Sequence, residues 1–224
     1  MLLLAIDTST SAITVALRGD GIASSATVLD ARGHSEHVSP LVQRCLGTAH
    51  REPSDVTHVV VGNGPGPFTG LRVGIVTGTV FAHARGIPVH GVCSLDALAV
   101  DAAALVGEGD FLVATDARRK EVYWARYTVG DGDLAGAPRP RRLTDPAVDR
   151  PADLPEEVRA LPTAGRGPAL YPELFPRALA AHDVQAASLA LLGESLLQAG
   201  EALPVEPLYL RRPDALTTAE RARP

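Results

Sequence analysis

The sequence predicts an α/β fold arranged as two lobes, and three observations carry that expectation. Short apolar runs alternating at period two and helical stretches with apolar residues at steps of three and four succeed one another through the first half. After Gly107-Glu108-Gly109-Asp110 the pattern restarts with a second strand, turn and strand. At 224 residues the chain suffices for one large domain or two small lobes, and for no more. Hydrophobic residues at 46% and charged residues at 21% exclude disordered and fibrous classes. Aromatic residues are only 4%, so the core must rest on Val, Leu, Ile and Ala.

Leu2 to Ile6 reads as a buried strand, followed by a Thr8-Ser9-Thr10-Ser11 turn. Ile13, Val15 and Leu17 alternate with Thr14 and Ala16 in a second strand, and Gly19-Asp20-Gly21 turns the chain into a third, Ile22 to Leu29. Val38, Leu41, Val42, Cys45, Leu46 and Ala49 share one helical face; Pro40 fits only near the start, so that helix begins near Ser35. Val56 to Val61 is a central strand running into a glycine-proline loop and another helix. Val89 to Val92 is a short strand, and Ser94 is expected to cap a helix through Ala104. In the second half, Phe111 to Thr115 and Val122 to Thr128 are strands joined by a turn over Asp116 to Glu121. Gly130 to about Arg150, rich in Gly, Pro and Arg, is expected to be loop. Short helices are expected over Tyr171–Ala181 and Ala187–Ala199, then an extended Pro204 to Leu210 and a frayed Pro213 to Pro224. The lobes are expected to be residues 1–104 and 105–213, with a flexible tail over 214–224.

The formal net charge of −5 argues against a protein that holds nucleic acid chiefly by charge. Lys120 is the single lysine, so the basic residues are otherwise arginine. Cys45 and Cys93 make neither a disulfide framework nor a zinc cluster. Asp7 interrupts the apolar N-terminus too early for a signal peptide, and Val73 to Ala84 is too short to span a membrane. These features place the chain in a reducing cytoplasm.

The most unusual stretch is Gly62-Asn63-Gly64-Pro65-Gly66-Pro67-Phe68-Thr69-Gly70-Leu71-Arg72. A loop between strand and helix can bind phosphate, but Leu71-Arg72 stands where a P-loop needs Lys and Ser/Thr, and Pro65 and Pro67 remove two amides. A rigid, shaped turn is the competing reading. The following helix carries Gly70, Gly74, Gly78 and Ala82 at steps of four. Each interior glycine costs about 1 kcal/mol relative to alanine, so something must approach that stripe closely. Either the helix is buried wholly in its own fold, or one face meets its own lobe and another a partner. His34-Ser35-Glu36-His37 lacks zinc-protease spacing and reads as the polar start of a helix. Asp7-Thr8-Ser9-Thr10 and Asp116-Ala117-Arg118-Arg119 hold equivalent places after the first strand of each half, as do the phosphate-holding turns of sugar kinases and actin. Arg118 and Arg119 are too large for close backbone approach to a nucleotide. Arg118, Arg119, Lys120, Arg126, Arg139, Arg141 and Arg142, with Tyr123, Trp124 and Tyr127 nearby, offer either a solvated basic edge or a surface for RNA.

Taken in order, several blocks form a recognisable set: Leu4-Ala5-Ile6-Asp7-Thr8-Ser9-Thr10, His34-Ser35-Glu36-His37, and Gly64-Pro65-Gly66-Pro67-Phe68-Thr69-Gly70-Leu71-Arg72-Val73-Gly74. Gly91-Val92-Cys93-Ser94-Leu95-Asp96-Ala97-Leu98, Asp116-Ala117-Arg118-Arg119-Lys120-Glu121-Val122-Tyr123 and Pro207-Leu208-Tyr209-Leu210-Arg211 complete it. The chain closely resembles the bacterial TsaB (YeaZ) family over roughly residues 1–213; Pro67 stands where that family usually has Ser. The resemblance implies an actin-like/sugar-kinase (ASKHA) fold with two lobes of ribonuclease-H-like character. It implies kinship with TsaD, the catalytic subunit that threonylcarbamoylates the adenosine beside the anticodon in tRNAs reading codons that begin with A. The family is a non-catalytic paralogue that homodimerises or pairs with TsaD, with the ATPase TsaE joining the pair. The metal-binding histidine pair of the catalytic relative corresponds to Ser94 and Leu98, which are unfit as ligands, so no metal, no cofactor and no chemistry of its own are implied.

On that resemblance the expected partner interface comprises Ser39, Val42, Leu46, Phe68, Thr69, Leu71, Arg72, Gly74, Ile75, Gly78 and Thr79, on two helices packed across a dimer axis. Leucine at Gly74 or Gly78 is then expected to abolish pairing and leave the monomer folded. Asp7, Thr8, Ser9 and Asp116 would be a vestigial nucleotide site, and tRNA would be met only through the complex. Two alternatives remain: a nucleotide- or metal-dependent enzyme of the same fold, kinase-like or glycoprotease-like, and a direct RNA-binding module using the Arg118 to Arg142 edge.

Overall fold

A computed structural model describes residues 1–30 and 33–211. The first sheet has the order β3-β2-β1-β4-β5, with β1 Leu3–Asp7, β2 Ala12–Gly19, β3 Ile22–Leu29, β4 His58–Gly62 and β5 Val89–Val92. The first three strands form an antiparallel meander, and β4 and β5 join the other side of β1 in parallel. This is the ribonuclease-H-like arrangement the family resemblance implies. β1 is buried along its whole length, because strands flank it and helices cover both faces.

Alternation along the strands splits the core in two. Leu4, Ile6, Val15, Val59 and Val61 meet the helices α1 (His34–Thr48) and α2 (Phe68–Arg85) through Val38, Leu41, Cys45, Leu71 and Ile75. Leu3, Ala5, Ala16 and Val60 point the other way, onto the late helix α6 (Ala186–Gln198) and into a cluster it shares with α3 (Ser94–Val106).

The second sheet runs β10-β6-β7-β8, with β9 paired to β7. Its strands are β6 Asp110–Asp116, β7 Val122–Leu134, β8 Ala137–Arg142, β9 Ala147–Asp149 and β10 Thr163–Ala164; α4 (Glu156–Arg159) and α5 (Gly167–Leu170) are single turns. Phe111, Val113, Ala125 and Tyr127 face α3 and α6, whereas Leu112, Ala114 and Val122 face a smaller cluster with Leu154, Val158 and Phe175. So α3 and α6 lie between the two sheets and belong to the core of both. Polar ties fix the layers: Arg18 pairs with Glu194 at 2.7 Å, the Ala186 amide donates to Thr14 Oγ1 at 3.0 Å, and the Tyr127 hydroxyl donates to Asp96 Oδ1 at 2.8 Å.

Two sequence expectations are corrected. The stretch from Gly130 is no loop: β7 continues to Leu134, reverses over Ala135 and Gly136, both at positive φ, and returns as β8. Pro138 and Pro140 are tolerated because β8 is an edge strand. The helix expected over Tyr171–Ala181 does not form. Pro172 and Pro176 interrupt it, and Thr163 takes the segment as a partner, its amide donating to Arg177 O and its carbonyl accepting from Leu179 N, both at 2.8 Å. Pro40 sits in the second turn of α1, on its exposed side. Among the described residues, no helix is long and apolar enough to cross a membrane. The fraying expected from Pro213 onward concerns residues outside those described.

Candidate functional site

β1 delivers Asp7 to the turn at the top of the first sheet, where it is 0% exposed. Oδ1 accepts from the Ser9 amide at 2.8 Å and the Ser9 hydroxyl at 2.7 Å; Oδ2 accepts from the Ser94 hydroxyl at 2.6 Å. Burial pushes the carboxyl above its usual range, against those hydrogen bonds and nearby His34, which pull it down. Gly62 closes the remaining approach, since a Cβ there would overlap Asp7 Oδ2. Ser94 does not cap α3, as the sequence suggests; Cys93 is the N-cap residue and no side chain caps that end. The Ser94 hydroxyl serves Asp7 and accepts from the Gly64 amide at 3.2 Å. Leu98 is fully buried in the shared core. Both residues that the family resemblance sets against the catalytic relative's metal ligands are used here in holding the fold. Among the described residues, no group of three or more His, Cys, Asp or Glu could hold a metal.

The glycine-proline loop is a shaped turn whose polar groups face inward. The Asn63 amide donates to Val92 O at 3.0 Å, the Ser94 amide donates to Gly64 O at 2.7 Å, and Gly66 lies against the Ser9 backbone. In the second lobe, Asp116 Oδ1 accepts from the Arg118 amide at 2.7 Å, and Oδ2 pairs with the Arg118 guanidinium at 3.2 Å. Arg118, Arg119 and Lys120 hold successive φ values of 60, 53 and 62°, a left-handed turn made without glycine. Between the lobes, Thr10, Ser11, Pro67, Thr115, Asp116, Arg118, Arg166, His182 and Asp183 leave a void of about 10 Å³, room for a single water. Arg166 and Asp183 fill it with a two-pronged ion pair at 2.8 and 2.6 Å. Asp7, Thr8 and Ser9 spend their side chains inside the first lobe and do not line this void with Asp116.

The glycine stripe of α2 faces its own sheet. The Thr8 hydroxyl donates to Gly70 O at 2.7 Å and accepts from the Gly74 amide at 2.9 Å, bridging one turn of the helix. A Cβ at Gly74 would stand 2.6 Å from Thr8 Oγ1, and one at Gly78 would overlap Val61 and lie 3.2 Å from Val59 Cγ1. Leucine at either position is therefore a core clash. The expectation that such variants keep the monomer folded is corrected on that ground.

Of the expected interface residues, Leu71, Gly74, Ile75 and Gly78 point into their own lobe, and Val42 and Leu46 of α1 do likewise. Ser39, Phe68, Thr69, Arg72 and Thr79 are exposed. The open side of α2 also carries Val76 at 52% and Val80 at 61% exposure, with Val73 half-buried beside them; the sequence shows all three as apolar positions of this helix, but they are not among the interface residues expected from it. A signal for them was present. Once the stripe 70, 74, 78, 82 is assigned inward, 69, 72, 73, 76 and 80 fall on the opposite side of a helix. Ser35, Phe68, Thr69, Arg72, Val73, Val76 and Thr77 line a shallow groove of about 510 Å³ there. His34 and His37 steady its rim, His34 Nε2 lying 3.1 Å from Thr10 O and His37 Nε2 3.2 Å from Asp30 Oδ2.

Comparison with known proteins places this geometry. The family profile described as tRNA N6-adenosine threonylcarbamoyltransferase (TsaD) matches residues 22–190. An uncharacterised protein of Mycobacterium tuberculosis is 43% identical over 95% of this chain and 92% of its own length. The tRNA threonylcarbamoyladenosine biosynthesis protein TsaB of Escherichia coli is 40% identical over 57% of this chain and 55% of its own. The solved structure of YeaZ from Pseudomonas aeruginosa superposes with a TM-score of 0.79 at 32% identity, covering 93% of this chain and 99% of that one.

Proposed function

Since the chain belongs to the TsaB (YeaZ) family and takes part in tRNA threonylcarbamoyladenosine biosynthesis, we propose that it acts there as a non-catalytic scaffold subunit. It pairs through the outer faces of α1 and α2 with a TsaD-type catalytic subunit, or with a second copy of itself. A TsaE-type ATPase joins that pair, and tRNA is met through the assembly. The observation that carries this reading is the open side of α2, where Phe68, Val76 and Val80 stand exposed on a helix whose other side is fixed to the sheet. Exposed apolar residues gathered on one helix face mark a docking surface more often than a solvated one. The profile match to the transferase itself supports a partner of similar build, so that like helices meet about a pseudo-twofold axis.

The state of the interlobe region supports the non-catalytic part. Asp7 is sealed by Ser9, Ser94 and Gly62, and the void beside Asp116 is far below the roughly 300 Å³ that a small-molecule site needs. The same features weigh against a kinase-like or glycoprotease-like enzyme, which would retain nucleotide or metal when isolated. The test is reconstitution: a TsaD-type subunit, a TsaE-type ATPase, threonylcarbamoyl-adenylate and unmodified tRNA, with and without this chain, and the modified nucleoside quantified by mass spectrometry. Sustained turnover only with this chain present, and none from the chain alone, is expected. Equal turnover without it would overturn the proposal.

A further inference from the structure

After α6 the chain leaves the space between the sheets and runs extended along the outer edge of β5. The Gly91 amide donates to Leu203 O at 3.0 Å, and the Leu208 amide donates to Asn63 O at 2.8 Å. Gly91 must be glycine there, because Pro204 O occupies the place of a Cβ. Tyr209 then lays its ring on Phe68, the first residue of α2, with centroids 5.1 Å apart. The Arg72 guanidinium carbon lies 5.1 Å from the same Phe68 ring. Two residues further on, Arg211 crosses to the second lobe. It donates to Ala117 O at 3.3 Å and pairs with Glu121, holding the turn that carries Arg118, Arg119 and Lys120.

Both rings of the Phe68–Tyr209 pair remain about two-fifths exposed, at 40 and 42%. Phe68 and Arg72 line the groove on the open side of α2, so the pair stands at its end. Aromatic and arginine side chains held rigid at the edge of an apolar groove are the residue types that dominate protein–protein contacts. Among the described residues no carboxylate pairs with Arg72, which leaves its charge for the occupant.

We infer that the segment 203–211 is a built part of the docking surface. Tyr209 is a positioning residue that sets Phe68 and Arg72 for a protein partner presenting an apolar helix face with a carboxylate opposite Arg72. Arg211 anchors the same segment to the second lobe, so the partner meets one rigid face made from both lobes. This rests on the reading of the open side of α2 as the docking surface. A protein occupant fits the valine-lined groove, which offers a nucleic acid a single cation.

The test is isothermal titration calorimetry of the full chain against the TsaD-type subunit from the same genome, with four variants. Tyr209→Ala is expected to weaken pairing about three- to tenfold, the worth of one aromatic pair. Tyr209→Phe, which keeps the ring, is expected to bind as the parent does. Arg211→Ala is expected to weaken pairing and, in the isolated chain, to speed amide exchange at residues 117–121. Val76→Glu, central in the groove, is expected to abolish pairing. If the parent chain does not bind, or Val76→Glu binds as the parent does, the docking reading fails and the inference with it. If Val76→Glu breaks pairing while Tyr209→Ala stays within twofold of the parent, the inference alone is overturned. If Tyr209→Ala unfolds the chain, Arg211→Ala decides: normal pairing by that variant would also overturn it.

Discussion

Alanine at Gly74 should destabilise the protein by about 2 kcal/mol, and the cost should vanish when Thr8 is removed first. The new Cβ would stand 2.6 Å from Thr8 Oγ1 and 3.4 Å from its Cγ2. Thr8 cannot swing aside freely, because its hydroxyl is held at 2.7 Å by Gly70 O and at 2.9 Å by the Gly74 amide. Overpacking of a filled site costs about 1–3 kcal/mol, and the low end, about 1 kcal/mol, applies once the Thr8 hydroxyl has moved aside. Displacing the hydroxyl forfeits two hydrogen bonds at about 1 kcal/mol each, while the better helix propensity of alanine returns about 1 kcal/mol. A net loss near 2 kcal/mol lowers Tm by roughly 4–8 °C in a chain of this size. In a Thr8→Ala background the obstacle is gone, and Gly74 N and Gly70 O are the natural partners of an α-helical bond. Gly74→Ala should there be neutral or slightly stabilising. Urea unfolding of the four proteins gives the coupling energy, expected at about 2–3 kcal/mol. Equal costs in both backgrounds, within about 0.5 kcal/mol, would show that the glycine does not make room for Thr8.

Ser94→Ala leaves Asp7 Oδ2 without its 2.6 Å donor in a fully buried place and should cost about 2–3 kcal/mol. Asp7 titrates above 3.8 in the folded chain, so the stability its proton brings is complete below that pH and is lost as pH rises through the folded-state value. Loss of the Ser94 donor moves that value higher still. Urea midpoints should therefore fall further between pH 4 and neutrality in the variant than in the parent; parallel curves would contradict this. His58 and His90 stack at 5.9 Å, and burial, with the N-terminal amine beside His58 and the His58 charge beside His90, holds both below 6.5. The folded chain then binds fewer protons than the unfolded one, so stability present above 6.5 is lost as pH falls through the folded-state values. A His58→Gln/His90→Gln variant should lose less on acidification from pH 7.5 to 5.5, as read by urea midpoints. Val80→Glu, at a position 61% exposed, should leave the unfolding midpoint within about 0.5 kcal/mol of the parent and prevent pairing in sedimentation velocity.

The first sheet and its helices were legible because their patterns are local. Ile13, Val15 and Leu17 alternate, and Val38, Leu41, Cys45 and Leu46 share a helical face, whatever the rest of the chain does. The β7–β8 hairpin was not, since Pro138 and Pro140 read as loop until it is known that their strand lies on an edge. Tyr171 to Ala181 failed for a related reason: its pairing partner, Thr163, belongs to a short strand that composition does not announce. At the candidate site, the unusual glycine spacing was visible, but not its direction. A stripe without side chains signals close approach and is silent on whether the approaching group is a partner's backbone or Thr8 of the same chain. Only the register of β1 against α2 resolves that. The aromatic pair of Phe68 and Tyr209 could not be read at all, being built across more than half the sequence.

The place of α6 bears on how the protein is made. The face of the first sheet carrying Leu3, Ala5, Ala16 and Val60 is covered chiefly by α6, with α3 lying behind it toward the second sheet, and α6 ends at Gln198. On the ribosome, about ninety residues separate the completion of α3 from that of α6, roughly 5–20 s of elongation. Through that interval the nascent first half holds a finished sheet with an apolar face only partly shielded, a species inviting chaperone capture. A fragment of residues 1–107, through the end of α3, would be frozen in the same condition, so expressing it alone should yield inclusion bodies, and co-expressed residues 108–224 should rescue its solubility by supplying α6 in trans.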